Sequence, residues 1–180
     1  MTPVKSGERY FYVWSHRKNI GTPLDTGSML MIAEFDPVHP DRLISEPKCL
    51  SRPLYGFENT EHTINNEGPY AFYYHNKIYL AYSGGDARGY LYAIGMLTAN
   101  DGDDLCDLSV WEKAKTPIAS FATIPGEYGP GHNSFFWDRD QNLWIAYHAV
   151  TSFEEKIVSS GMRRVYFEQD KTPRFDVIVE

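Results

Sequence analysis

The chain has 180 residues, of which 42% are hydrophobic and 15% aromatic, which is enough for one domain with a substantial core. Its net charge of −7 argues against a nucleic-acid or membrane partner, because no basic patch could release counterions. Cys49 and Cys106 lie far apart, which disfavours a disulfide scaffold and suits a reducing compartment.

Targeting and membrane signals are not visible in the sequence. The first 25 residues contain no apolar signal-peptide core, and no run approaches the roughly 18 apolar residues of a membrane span. A cytoplasmic location is therefore slightly favoured, while secretion stays open if the natural N-terminus is missing.

The predicted elements are mostly aromatic strands bounded by turn residues. In the first third, a strand at 11–15 (FYVWS) follows turn residues at 7–9 (GER), and a second strand covers 29–35 (MLMIAEF). In the middle third, strands at 69–74 and 79–83 flank a turn at 75–77 and form a predicted hairpin.

The remaining elements continue this pattern. A strand is predicted at 90–97 (YLYAIGML), and a short helical turn lies within 100–114. Strands at 134–137 and 144–148 form another predicted hairpin. The last two predicted strands cover 164–168 and 175–179.

A repeat emerges when Trp14, Tyr82 and Tyr147 are aligned, because they are spaced by 68 and 65 residues. Each unit has room for four antiparallel strands, which is the blade of a β-propeller. The sequence therefore predicts an all-β fold, a single partial propeller domain. A plain β-sandwich with accidental internal similarity is the alternative. The predicted blade repeats cover about 1–60, 61–125 and 126–180.

Glu67 and His132 are the candidate functional residues. Each lies 15 residues before the aligned tyrosine of its repeat, Tyr82 or Tyr147, and each is next to glycine. The first strand of a propeller blade lines the central channel, so we expect both side chains at equivalent places near the axis. His132 could hold a metal ion or water there. The alternatives are a solvated acid and a loop histidine with satisfied hydrogen bonds.

Two further acids precede Glu67 in the chain. Glu58 and Glu61 lie in a loop segment and have no equivalents in the other repeats. We therefore expect both carboxylates to be solvated and to take no part in chemistry.

Several motifs resemble those of glycoside hydrolase family 43, five-bladed propeller enzymes that act on arabinofuranosides and β-xylosides. The resemblance covers nearly the whole chain and includes YFYVWS and MLMIAEFDP in the first repeat. Its most specific motifs are NNEGPY at 65–70, NKIYLAYSGG at 76–85, YGPGHNSFFWD at 128–138 and LWIAYHA at 143–149.

The resemblance implies roles for individual residues. Glu67 matches the general acid, and His132 matches the histidine beside an axial Ca²⁺ or Na⁺ ion or a water cluster. Arg164, with Arg163 next to it, is the expected sugar-binding arginine. Phe57 stands where the family has tryptophan, and Tyr128 opens the GPGHNS motif, so both are expected substrate-binding residues. The chemistry itself requires no cofactor.

The family's two catalytic aspartates have no counterpart in this sequence. Inverting hydrolysis needs an acid and a base about 6.5–9.5 Å apart, with a water between the base and the sugar. The resemblance thus implies the last three of five blades, with little or no activity in isolation. Exposed sheet edges would favour self-association or a complementing N-terminal chain.

The expected partner is a pentose oligosaccharide or glycan. Two other functions stay open from the sequence. The chain could be a non-catalytic carbohydrate-binding propeller that kept Glu67 and His132, or a propeller fragment that serves as a protein-interaction scaffold.

Overall fold

The computed structural model describes residues 1–152, 154 and 157–176, which form antiparallel strands joined by turns and two single-turn 3₁₀ helices. A 3₁₀ turn at Gly56–Glu58 and a short ribbon follow the first sheet. The sheet consists of β1 (Thr2–Ser6), β2 (Arg9–Arg17), β3 (Ser28–Glu34) and β4 (Lys48–Ser51), and the ribbon of β5 (Asn59–Thr60) and β6 (Thr63–Ile64).

The second sheet also has four strands in chain order. The turn between its first two strands is tight because His75 and Asn76 both have positive φ angles, 46° and 60°, as two-residue hairpin turns require. A 3₁₀ turn at Leu108–Val110 precedes its last strand. The strands are β7 (Asn66–Tyr74), β8 (Lys77–Gly84), β9 (Ala93–Asn100) and β10 (Glu112–Lys113).

The third sheet has three strands within the described residues, and a second ribbon follows it. A five-residue loop at 138–142 closes its first hairpin. The sheet consists of β11 (Tyr128–Trp137), β12 (Leu143–Val150) and β13 (Val158–Arg164), and the ribbon of β14 (Tyr166–Phe167) and β15 (Pro173–Arg174).

The predicted all-β fold is confirmed, since the described residues form three larger antiparallel sheets and two two-stranded ribbons. The division into three blade repeats stays a prediction. The strand predicted at 90–97 begins later, at Ala93, because residues 85–92 form a loop. The strand predicted at 164–168 is divided between the end of β13 and β14. Of the strand predicted at 175–179, residues 177–179 lie outside the described residues.

The second sheet is buried on both faces. Along β8, Ile78, Leu80 and Tyr82 pack against the first sheet, whereas Tyr79 and Ala81 pack against the third. Strand β7 contacts β1, β2 and β3 on one side and β11 on the other. The N-terminal ends of β7 and β11 lie side by side, since a Cβ on Gly68 of β7 would lie 3.5 Å from the His132 ring of β11. Within the part of the chain that the structure describes, no helix is long and apolar enough to cross a membrane.

Glu58 lies at the junction of the first two sheets, and the expectation that it is solvated is wrong. Its side chain is fully buried, with an exposed fraction of 0%. Oε1 accepts hydrogen bonds from the Tyr82 hydroxyl at 2.7 Å and from Asn66 at 2.8 Å, and Lys113 Nζ lies 2.5 Å away. Oε2 accepts from the backbone N–H groups of residues 54 and 55. Glu61, by contrast, is exposed, as predicted.

Lys113 supplies the charge that balances Glu58. Burial lowers the pKa of Lys113, and its hydrogen bond to Glu58 opposes that shift. The lysine also donates to the carbonyl of Arg52 at 2.9 Å. A buried carboxylate is stable only when it is paired and fully hydrogen-bonded, and this one meets both conditions.

A related arrangement lies at the junction of the second and third sheets. Tyr147 donates to Glu127 Oε2 at 2.5 Å, and Arg163 donates to both the Tyr147 hydroxyl and Glu127 Oε1 at 2.8 Å. Gly161, opposite Tyr147 on β13, leaves room for the ring, since a Cβ there would approach it to 2.9 Å. Tyr82 and Tyr147, which were aligned to find the repeat, thus each donate a hydrogen bond to a glutamate between neighbouring sheets.

Replacing Glu58 with glutamine should lower the free energy of unfolding by about 3–5 kcal/mol, the usual cost of breaking a buried ion pair. The amide would place N–H donors where every partner is already a donor, and it would leave Lys113 unpaired. Urea denaturation measures the change.

Glu61→Gln is the matched control, because it makes the same substitution at an exposed acid of the same segment. It should change the free energy of unfolding by no more than about 0.5 kcal/mol. Equal effects of the two substitutions would contradict the structural role of Glu58.

Candidate active site

Glu67 is the second residue of β7 and is half-buried at the end of the strand. The preceding Asn66 is fully buried and donates to Glu58, so the buried ion pair holds the chain immediately before Glu67. On the other side, the backbone N–H of Gly68 donates to the Ser15 hydroxyl at 3.2 Å. The backbone around Glu67 is therefore fixed from both directions.

Strands β7 and β11 each carry a bulge at this end. The register of β7 against β8 shifts after Glu67, and that of β11 against β12 shifts both before and after Gly131. Gly68, which follows Glu67, and His132, which follows Gly131, have positive φ angles of 56° and 51°. Bulges redirect side chains and are common beside active sites.

Because of the bulges, Glu67 and His132 do not occupy equivalent positions, contrary to the prediction. In the pairing with the neighbouring strand, the counterpart of Glu67 is Gly131, and the counterpart of His132 is Gly68. The prediction was wrong by one residue because the third hairpin is one residue longer than the second. The two regions still meet, since a Cβ on Gly68 would lie 3.5 Å from the His132 ring.

Tyr92 links Glu67 to His132. Its hydroxyl donates to Glu67 Oε1 at 2.7 Å and lies 3.3 Å from Nδ1 of His132. Because the hydroxyl proton is directed at Glu67, a hydrogen bond to His132 requires the proton on Nδ1. The backbone N–H of His132 donates to the Ser83 hydroxyl at 2.8 Å. These bonds form a continuous network from β11 to the carboxylate.

The Tyr92 ring lies in a close-fitting site. The ring stacks on His148, with centroids 5.6 Å apart and planes 7° apart. A Cβ on Gly131 would lie 2.1 Å from the ring, so only glycine fits there. His148 also stacks on His132, with centroids 6.2 Å apart. The two imidazoles and the phenol thus pack together under the carboxylate.

Burial determines the charge states of Tyr92 and His148. Burial raises the pKa of Tyr92 well above its usual range, and the negative charge of Glu67 raises it further. Burial also lowers the pKa of His148, and the neighbouring His132 lowers it further. At neutral pH, Tyr92 is therefore a hydrogen-bond donor and His148 is uncharged.

The structure brings Glu67 and His132 together and places Tyr128 at the same end of the third sheet. Tyr128 opens β11 and makes an edge-to-face contact with Tyr90, with centroids 6.1 Å apart. Phe57 is half-buried and packs against the core between the first two sheets. Roles for Tyr128 and Phe57 in sugar binding stay predictions.

Arg164 lies away from this cluster. It is exposed, stacks over Tyr166 at 5.1 Å and pairs with Trp144 across β12. The residue opposite His148 is Ser160, so Arg164 is four residues, or about 13 Å, further along the strand. The structure therefore does not bring Arg164 next to Glu67, and its role in sugar binding stays a prediction.

Sequence reasoning missed Tyr92, His148 and Asn133. Tyr92 was placed within a predicted strand, and His148 ends the WIAYH segment that was used only for alignment. Asn133 is 6% exposed, and among the described residues its amide has no hydrogen-bond partner. The signal for Asn133 was its place in the GPGHNS motif.

The described residues do not by themselves form a metal centre. No three His, Cys, Asp or Glu side chains converge closely enough among them to hold an ion. His132 could contribute a single imidazole ligand. An axial Ca²⁺ or Na⁺ ion would need oxygen ligands besides this imidazole.

Comparisons with known proteins extend these observations. The family model described as "Glycosyl hydrolases family 43" matches residues 3–173. An extracellular exo-α-(1→5)-L-arabinofuranosidase of Streptomyces avermitilis is 28% identical over 99% of this chain and 37% of its own length. The enzyme of the same name from Streptomyces chartreusis is 34% identical over 79% of this chain and 42% of its own length.

A solved structure shows the same relationship in three dimensions. The α-L-arabinofuranosidase of Lactobacillus brevis superposes with a TM-score of 0.81 and 27% identity, over 96% of this chain and 54% of that chain. This chain thus spans about half of that structure and about two fifths of the curated relatives.

Gly131→Ala should destabilise the protein by about 1–3 kcal/mol, because the new methyl group would overlap the Tyr92 ring. Gly56→Ala is the control, since a Cβ there meets nothing within 4 Å and its φ is not in the left-handed region. Thermal or urea denaturation of both variants measures the difference. If Gly131→Ala were as stable as the control, the close packing of Tyr92 would be contradicted.

His148 should make stability pH-dependent. Its folded pKa lies below its unfolded value of about 6.5, so the unfolded chain takes up the proton first. The stability of the folded state relative to the unfolded chain is therefore unaffected by His148 protonation above the unfolded pKa. It decreases as pH falls below that value. When pH falls from about 7.5 to 5.5, the melting temperature of His148→Gln should therefore decrease less than that of the wild type.

Ser160→Ala is the control for His148, because it alters the facing residue on β13 and removes no titrating group. It should keep the pH dependence of the wild type. The assignment to His148 is contradicted if His148→Gln and Ser160→Ala lose stability equally over the same pH interval.

Proposed function

The chain belongs to glycosyl hydrolase family 43, and on that premise we propose that it hydrolyses glycosidic bonds in pentose-containing glycans. Arabinofuranosides are the first candidate substrates, since the names of the relatives specify arabinofuranosidases. β-Xylosides are the second. The observation that carries the proposal is the half-buried Glu67, fixed at a strand end and hydrogen-bonded by Tyr92.

Glu67 acts as the general acid in this proposal. As the bond between the anomeric carbon and the leaving-group oxygen breaks, the acid transfers its proton to that oxygen. Such proton transfer typically contributes about 10²–10⁴-fold to the rate. Attack by water from the opposite face of the sugar then gives inversion.

The water-activating base is proposed to come from outside these 180 residues. Three described acids near the site have other contacts. Glu58 is enclosed by donors, Asp25 accepts two hydrogen bonds from Arg17 at 2.8 and 2.7 Å, and Asp86 accepts one from the backbone N–H of Arg88 at 2.9 Å. We therefore expect the chain alone to have little or no hydrolytic activity. The greater length of the relatives leaves room for a base elsewhere.

The third sheet supports a further part of the proposal, that the chain pairs with a complementing chain or a second copy. Phe136 is 43% exposed and Met162 is 66% exposed, both on the third sheet. Exposed apolar side chains grouped on one sheet are typical of interaction surfaces. The compartment of the chain stays a prediction, since the word "extracellular" belongs to the names of the relatives.

Azide rescue tests the proposed chemistry on the chain as it is. Azide needs no base, so it can replace activated water: its nitrogen bonds to the anomeric carbon while the leaving group departs with the proton of Glu67. We expect 4-nitrophenyl α-L-arabinofuranoside to give arabinosyl azide of inverted configuration, with no detectable hydrolysis in the absence of azide. Mass spectrometry and NMR identify the product.

Glu67→Gln tests the acid with the same assay. It should reduce azide-dependent cleavage of an alkyl arabinofuranoside by about 10²-fold or more, because a poor leaving group needs the proton. Hydrolysis without azide that disappears in Glu67→Gln would show that the chain holds its own base. Absence of azide product, together with calorimetric binding of arabino-oligosaccharides, would instead favour the non-catalytic carbohydrate-binding function.

A further inference from the structure

We propose that Tyr92 is the positioning residue of Glu67, which holds Oε1 as a hydrogen-bond acceptor so that Oε2 carries the proton to the leaving group. The inference rests on the proposed function, because it assigns Glu67 a proton to deliver. Tyr92 itself contacts neither the sugar nor the leaving group in this scheme.

The polar contacts of Tyr92 have a fixed direction. Its hydroxyl donates to Glu67 Oε1 at 2.7 Å, and the ring that carries it is fully buried. With Nδ1 of His132 at 3.3 Å as donor, the phenol oxygen accepts one hydrogen bond and donates another. Glu67 Oε1 is thus the acceptor of the bond from Tyr92.

The ring of Tyr92 cannot move aside. It is fully buried, its face stacks on His148, and the opposing backbone at Gly131 leaves no space for even a methyl group. The loop that carries it is tied to β11, because the N–H of Gly129 donates to the carbonyl of Tyr90 at 2.8 Å. The hydroxyl is therefore presented to Glu67 by a rigid support.

A hydrogen bond to one carboxyl oxygen fixes the rotation of the group and therefore the direction in which the other oxygen points. Without the hydroxyl, Oε1 would lose its donor in a half-buried position, and the carboxyl could rotate about its terminal bond. Misplacement of a reacting group by about 1 Å can cost 10²-fold in rate. Proton delivery, rather than sugar binding, should therefore depend on Tyr92.

Tyr92→Phe tests this role in the azide assay, because it removes the hydroxyl and keeps the ring. For an alkyl arabinofuranoside, we expect kcat to fall by about 10–100-fold with little change in KM. For the 4-nitrophenyl arabinofuranoside, whose leaving group needs little protonation, we expect a change of no more than about twofold.

Tyr79→Phe is the matched control. Tyr79, on β8, is likewise a buried tyrosine, and its hydroxyl donates to the carbonyl of Lys171 at 2.8 Å, far from Glu67. Tyr79→Phe should leave the rate of azide-dependent cleavage of both substrates unchanged. Equal losses for the two substrates in Tyr92→Phe, or alkyl cleavage in it as fast as in Tyr79→Phe, would overturn the positioning role.

A second measurement is independent of turnover. The slowly exchanging hydroxyl proton of Tyr92 should give a downfield NMR signal in the 180-residue chain, absent in Tyr92→Phe and shifted upfield in Glu67→Gln. An unchanged chemical shift of this proton in Glu67→Gln would contradict the hydrogen bond between Tyr92 and Glu67. If the signal responds but no variant or wild type forms azide product, the proposed function fails, and the positioning role fails with it although the contact stands.

Discussion

The buried carboxylate of Glu58 is the constraint on which the site depends. A buried anion must be paired and hydrogen-bonded on both oxygens, and Glu58 draws its donors from β7, β8, β10 and its own loop. One of those donors is Asn66, the residue before Glu67. The position of Glu67 is therefore set by a polar network in the junction between two sheets, before any ligand is considered.

The bulges in β7 and β11 bring side chains from the two strands together near Glu67. In a regular strand, His132 and the residues around Glu67 would keep the strict alternation of the pleat. One extra residue in β7 and two in β11 break that alternation at the same end of both sheets. The result brings an imidazole from one sheet against the backbone of the next, where the missing side chain of Gly68 leaves room for it.

The sequence was informative where structure is local. Alternating aromatic residues and turn residues located the hairpins of the second and third sheets, and the motifs located Glu67 and His132. Glu58 was misjudged because its partners Tyr82 and Lys113 lie on other strands, and no local pattern shows that they converge. Tyr92 was missed for the same reason: only the fold brings its loop back across β11.

The pairs Glu58–Tyr82 and Glu67–Tyr92 show how the same two groups differ with their surroundings. Glu58 and Tyr82 are sealed together with Lys113, so both carboxylate oxygens are occupied and the pair can only stabilise. Glu67 and Tyr92 are accompanied by an exposed imidazole instead of a buried cation, and the carboxylate is half-buried. That difference in enclosure surrounds one carboxylate with donors on both oxygens and leaves the other half-buried at a strand end.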